Sequence, residues 1–155
     1  MKKLGQTTVE LAKITESDRE EFYRIAKNKE VKQFVKILYP EDMEEAEIII
    51  EMLTVDSNYI AYKILNEKEK FVGVIIGEKK GKGTVEISYF IAEEYRGNGY
   101  CTHAVVEFKK LLKKQKYKKM EFPIDLRNKK SQNVMKRLRI PLLYTSRLRI
   151  YAIDI

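Results

Sequence analysis

Tyr89-Phe90-Ile91-Ala92-Glu93-Glu94-Tyr95-Arg96-Gly97-Asn98-Gly99-Tyr100-Cys101-Thr102 is the stretch that decides the fold. Leading into it, Val85 to Ala92 is a β-branched and aromatic run that reads as a strand. Arg96-Gly97-Asn98-Gly99 is a glycine-rich turn. Beyond it, Val105, Phe108, Leu111 and Leu112 recur at helical spacing, with Lys109, Lys110, Lys113 and Lys114 on the opposite side, so Tyr100 to about Gln115 reads as an amphipathic helix. Strand, glycine turn and helix together are the context of an anion site. The first N–H groups of a helix have no internal partners. The macrodipole adds about half a positive charge there, and glycine lets a phosphate come close to the backbone. The turn lacks the third glycine of a dinucleotide fingerprint. Gly81-Lys82-Gly83-Thr84 is no phosphate loop either, because its lysine precedes the second glycine and no helix follows.

Working outward, Val9 to Ile14 alternates apolar and polar residues like a half-buried strand. Thr15 to Asp18 supplies a cap and acids for a helix that carries Phe22, Ile25 and Ala26. Pro40-Glu41-Asp42 opens a second helix to about Leu53, with Ile48, Ile49, Ile50, Met52 and Leu53 as its expected buried side. Tyr59 to Leu65 and Phe71 to Gly77 are strand-like runs around the polar turn Asn66 to Lys70, and with Val85 to Ala92 they predict an antiparallel meander. Met120 to Ile124 reads as a strand, Lys129 to Leu138 as a short helix and Leu148 to Ile153 as a final strand. The order βααβββαβαβ predicts an α+β fold (α/β three-layer type) with a mixed, mostly antiparallel sheet and about four helices. Val85–Ala92, the helix after it and Met120–Ile124 form one βαβ unit, hence a parallel pair.

The chain has 155 residues, of which 44% are hydrophobic and 35% charged, so one domain over 1–155 with one real core is expected. No repeat divides it. Its single cysteine, Cys101, excludes a disulfide framework and a multi-cysteine zinc site. One histidine, His103, argues against a Ser-His triad and histidine metal sites, so no metal is expected. The first residues carry no apolar run, which predicts no secretory leader. Apolar stretches stay far short of the roughly 20 residues that span a bilayer. A soluble cytoplasmic protein without membrane attachment follows. The net charge of +8 is uneven: from Tyr100 onward there are 15 basic and 4 acidic residues. Such a surplus suits an anionic partner or a lysine-rich wet face.

The quoted stretch resembles motif A of the GNAT acetyltransferase superfamily, Arg/Gln-x-x-Gly-x-Gly/Ala at the start of a helix after the fourth strand. Arg96 and Gly99 match, and Cys101 stands where Gly or Ala is usual. Gly99-Tyr100-Cys101-Thr102-His103-Ala104 resembles the Gly-Tyr-Ala-Thr-Glu-Ala of the family's ribosomal-protein and small-amine branch. Asn128-x-x-Ser131 resembles that branch's Asn-x-x-Ser, and Ala26 to Val31 its region between the first two helices. The order of elements also follows the family over nearly the whole chain.

The resemblance implies acetyl-CoA as donor and a primary amine, on a small metabolite or a protein N-terminus, as acceptor. Its pyrophosphate would lie on the backbone of Arg96, Gly97, Asn98, Gly99, Cys101 and Thr102. Pantetheine would run along a splayed fourth strand near Phe90 and Ile91, with Asn128 bonding the arm and Ser131 close by. Similar enzymes often use a carboxylate of the fourth strand as base, which points to Glu86. Many use a tyrosine after Asn-x-x-Ser as leaving-group acid. Met135 holds that position here, so Tyr144 is the substitute candidate, and the family's following Gly-Phe is Arg139-Ile140. Similar proteins commonly form homodimers.

Cys101 reads as a small helix residue, since an acyl-cysteine would need a lowered pKa and access; His103 reads as structural. Two further functions compete with acetyl transfer. One is a CoA-binding sensor without efficient turnover. The other is a basic nucleic-acid module, although no RRM, KH or helix-turn-helix signature is present.

Overall fold

The computed structural model describes residues 8–155; the reading of residues 1–7 as free of a leader lies outside them. β1 (Glu10–Lys13) leads into a 3-10 turn, Glu16–Asp18, capped by Thr15. The Asp18 carboxylate accepts hydrogen bonds from Thr15 N–H and from Lys63 Nζ, each at 2.8 Å. It thereby ties the start of α1 (Arg19–Ala26) to β2 (Tyr59–Leu65). α1 buries Phe22, Ile25 and Ala26, as its spacing requires. A separate helix, α2 (Lys29–Phe34), follows, capped by Asn28 Oδ1 accepting from Val31 N–H at 3.0 Å. It escapes sequence periodicity because it has six residues and buries one side chain, Val31.

α3 (Met43–Val55) starts at Asp42, whose Oδ1 accepts from Glu45 N–H at 2.8 Å. Its buried face is Ala46, Ile49, Ile50 and Leu53. Ile48, expected inside, is 57% exposed, because one face of a helix cannot hold three consecutive residues. β3 (Phe71–Gly81) runs past its expected end at Gly77, since Glu78 and Lys79 still pair with β4 (Thr84–Ile91) although they carry wet side chains. The remaining elements are α4 (Tyr100–Lys114), β5 (Lys119–Asp125), α5 (Lys129–Arg137), β6 (Leu142–Thr145) and β7 (Leu148–Asp154). β6 was not legible because all four of its residues are exposed and nothing alternates.

The strands form one sheet in the order β1-β2-β3-β4-β5-β7-β6. β4 and β5 are parallel, and the other neighbours are antiparallel. Helices cover both faces. On one, α4 and α5 pack Phe108, Leu112 and Met135 against Ile75, Ile87, Met120 and Phe122. On the other, α1 to α3 pack Phe22, Ile25 and Ile50 against Val74, Ile76 and Phe90. The three layers and the parallel pair match the expected class, with five α-helices among the described residues where about four are expected. Among the described residues, no helix is long and apolar enough to cross a membrane.

Candidate functional site

The β4–β5 ladder joins Thr84, Val85 and Glu86 to Lys119, Met120 and Glu121 and ends there. Beyond it β4 stays paired to β3 as far as Ile91, and β5 to β7 as far as Asp125, so the two parallel strands part. Strand parity decides which amides face the gap. Ala92 N–H donates to Val72 O at 2.7 Å. Alternation then turns the amide of Phe90 toward β3 as well, and those of Tyr89 and Ile91 toward the open side. Phe90 and Ile91 thus contribute differently. Ile91 offers backbone, and its carbonyl accepts from Arg96 Nε at 3.2 Å. Phe90 packs its ring edge-on to Phe22 under α1.

Past Ile91 the chain makes a 3-10 turn, Glu93–Tyr95, and reaches Gly97 and Gly99, at φ +81° and +77°. Both adopt the left-handed conformation that favours glycine. A Cβ on Gly97 would meet nothing within 4 Å, so the turn presents bare backbone. Asn98 Nδ2 closes the turn by donating to Tyr95 O at 2.9 Å. Gly99 caps α4, and the first intrahelical bond is His103 N–H to Gly99 O at 3.2 Å. The amides of Tyr100, Cys101 and Thr102 are therefore helix-end donors without helical acceptors. Thr102 Oγ1 is buried with no hydrogen-bond partner among the described residues.

These features bound a cleft of about 1200 Å³. All ten residues expected to bind the cofactor line it: Phe90, Ile91, the turn Arg96–Gly99, Cys101, Thr102, Asn128 and Ser131. Asn128 also caps α5, its Oδ1 accepting from Ser131 N–H at 3.2 Å, which leaves Nδ2 for a ligand. Val31, Phe34 and Val35, within the stretch Asn28 to Tyr39 where the sequence places the acceptor pocket, give the cleft an apolar flank from α2 and its C-cap. Glu30 of the same helix lies between two cations from opposite walls, Arg96 Nη1 at 3.3 Å and Lys130 Nζ at 3.2 Å. An anionic ligand on the turn would compete with Glu30 for both.

Tyr89 was passed over in the sequence, where its placement in a strand needs no function. Its side chain lines the cleft, and its hydroxyl hydrogen-bonds the Ser131 hydroxyl. Burial holds the phenol well above its ordinary range, so it stays protonated. Burial likewise pushes the Cys101 thiol up to about 12. A thiol held protonated is a poor nucleophile, which argues against the acyl-cysteine route.

The two expected catalytic residues lie elsewhere. Glu86 sits in the paired part of β4, on the face opposite Tyr89, in a row with Glu78 and Glu121. Its carboxyl is raised chiefly by burial, against the lowering effect of Lys80, whose Nζ is 3.8 Å away. Tyr144 is on β6, 54% exposed and outside the residues that line the cleft. Met135 is fully buried in the core beneath α5. His103 lines the cleft one turn above Gly99. Among the described residues, no group of His, Cys, Asp and Glu could hold a metal ion.

A family model described as an acetyltransferase (GNAT) domain matches residues 8–140. Among solved structures, a domain from Methanocaldococcus jannaschii superposes with a TM-score of 0.80 at 22% identity, covering 96% of this chain and 99% of that one. RimL, an alpha-N-protein acetyltransferase of a ribosomal protein, gives 0.83 at 18% identity, covering 96% and 91%. Spermidine N-acetyltransferase from Vibrio cholerae, in complex with CoA and spermine, gives 0.80 at 12% identity, covering 97% and 96%. At these identities the likeness speaks to the fold. No curated protein matches the sequence.

Proposed function

The chain belongs to the GNAT acetyltransferase family, and from that premise we propose that it moves an acetyl group from acetyl-CoA to a primary amine by direct attack in a ternary complex. The acceptor is a small metabolite or a protein N-terminus. One observation carries the reading: the gap between β4 and β5 opens onto the bare N-terminus of α4, with strand amides along one side. That supplies an anion site and an amide-bearing channel in one cleft.

In this reading the amides of Tyr100, Cys101 and Thr102 hold the pyrophosphate over Gly97, Asn98 and Gly99. Arg96 releases Glu30 and turns to phosphate. Asn128 Nδ2 bonds the pantetheine arm. The amide of Tyr89 or Ile91 polarises the thioester carbonyl. The amine nitrogen forms the new C–N bond, the C–S bond breaks, and the departing thiolate takes a proton from the hydrogen-bonded Ser131–Tyr89 pair. Before the attack Glu86 takes one proton of the ammonium through water, since three residues of strand, roughly 10 Å, separate it from Tyr89; the second proton, shed as the amide forms, restores the one given up by the Ser131–Tyr89 pair.

Thermal unfolding with and without acetyl-CoA, followed by thiol release with an amine and peptide panel, tests the proposal. A shift with turnover supports it. A shift without turnover favours a CoA-binding sensor, the second reading, which draws on the buried Met135 and the remote Tyr144. No shift with acetyl-CoA but a salt-sensitive one with a DNA oligonucleotide favours a basic nucleic-acid module.

A further inference from the structure

β6 closes one edge of the sheet, pairing with β7 on one side only. An edge strand leaves backbone donors and acceptors open, and proteins usually blunt it with charge or cover. Here the strand is short and breaks register at Leu143, but its side chains are apolar and bare. Leu143 is 56% exposed and Tyr144 54%, with Leu142 and Leu148 beside them at 45% and 36%. Arginines flank this patch. Arg139 precedes the strand and Arg147 follows it, both exposed, and neither guanidinium has a hydrogen bond or ion pair among the described residues. From Leu126 to Ile153 the chain carries eight basic residues and no acidic one.

Arg139 holds its place against its own backbone preference. Its φ is +56°. Its N–H bonds Lys136 O at 3.1 Å, and Ile140 N–H bonds Met135 O at 3.0 Å, the helix-ending pattern in which glycine is usual. A side chain kept where glycine is the easier residue points to use of that side chain.

We propose that β6 and its flanking arginines form a docking surface for an extended acidic polypeptide segment, with aliphatic side chains on Leu142, Leu143 and Tyr144 and carboxylates on Arg139 and Arg147. A second copy of this chain does not fit. It would bring two copies of a face with eight basic residues and no acidic one from Leu126 to Ile153 against each other, where like charges repel. Nucleic acid offers nothing for the exposed leucines. The surface adjoins the cleft, because Arg137, two residues before Arg139, lines the cleft.

The test is fluorescence anisotropy of a short labelled peptide that alternates glutamate and valine, against one that alternates lysine and valine. The acidic peptide binds and the basic one does not. Leu143→Asp weakens binding about tenfold, as the loss of an apolar anchor with added repulsion does. Arg139→Gly, which suits the backbone, weakens it several-fold. Both variants keep the thermal shift with acetyl-CoA, so failure here is distinct from failure of the acetyl-transfer reading. Equal binding of both peptides, or binding untouched by both substitutions, overturns the proposal. A DNA oligonucleotide that displaces the peptide and binds tighter overturns it in favour of nucleic acid. A dimer in sedimentation that Leu143→Asp dissolves overturns it in favour of a second copy.

Discussion

The phenolic hydroxyl of Tyr89 on β4 and the hydroxyl of Ser131 on α5 hydrogen-bond each other, so one contact joins the two walls of the cleft. Ser131 is 7% exposed and burial holds the Tyr89 phenol well above its ordinary range, which keeps the pair neutral beside the parted strands, as the proposed proton source requires. Tyr89→Phe removes the hydroxyl and keeps the ring. The expected result is a fall in turnover of about a hundredfold, the lower end of what a positioned acid contributes. The thermal shift with acetyl-CoA should stay unchanged. Ser131→Ala should fall as far, and the double variant no further, because the two hydroxyls act as a unit. Additive losses would show that they do not.

Gly99 supports a second expectation. Its Cβ would find no neighbour closer than His103 Cδ2, at 3.8 Å, so substitution there strains the backbone without a clash. Gly99→Asp adds a negative charge where phosphate is to sit, at a strain of about 1 kcal/mol. Wild type at a hundred times its dissociation constant gains about 2.7 kcal/mol from ligand. The variant should remain folded and lose that gain, read as a vanished shift in thermal unfolding. A retained shift would move the anion site away from this turn.

Why this turn was legible while Tyr89 was not is a matter of range. Arg96-Gly97-Asn98-Gly99 declares itself locally, since glycines with positive φ followed by an amphipathic helix need no distant partner to be read. Tyr89 depends on two long-range facts: the parity that points its side chain to the α4 side, and the residue at which β5 leaves β4. Neither is written in residues 85–92. Tyr144 was the opposite case. A tyrosine near the end of the chain could be placed anywhere until β6 proved to be the far edge of the sheet.

Glu86, as the proposed base, predicts a pH dependence. Its carboxyl is raised, first by burial and also by Glu78 and Glu121, with Lys80 opposing. A base works deprotonated, so turnover should fall as pH drops through a midpoint above the ordinary carboxylate value, and Glu86→Gln should remove that limb of the profile. Stability runs the other way. A raised folded pKa stabilises the fold fully below the unfolded value, and that contribution is lost as pH rises through the folded one. Glu86→Gln should therefore gain stability over wild type as pH rises from acid to neutral, measured by denaturant midpoints. An unchanged acid limb with the stability trend intact would leave Glu86 as a buried carboxyl without a catalytic part.

Arg139 separates backbone from side chain in one pair of variants. Its left-handed φ of +56° ends α5 and lets Ile140, 7% exposed, tuck under the helix. Where the resemblance has Gly-Phe, this chain sets arginine in a conformation that favours glycine and isoleucine in an apolar seat. Relief of that strain by Arg139→Gly should raise stability by about 0.5–1 kcal/mol, offset in part by the extra freedom glycine gives the unfolded chain. In a chain this long that is a rise of a few degrees in Tm. Arg139→Ala removes the same charge beside Lys136 and Arg137 but keeps a Cβ. If φ is the cause, alanine should give little or none of the gain. If alanine stabilises as much as glycine, repulsion among the three cations is the cause, and the strain assigned to Arg139 is not stored in its backbone.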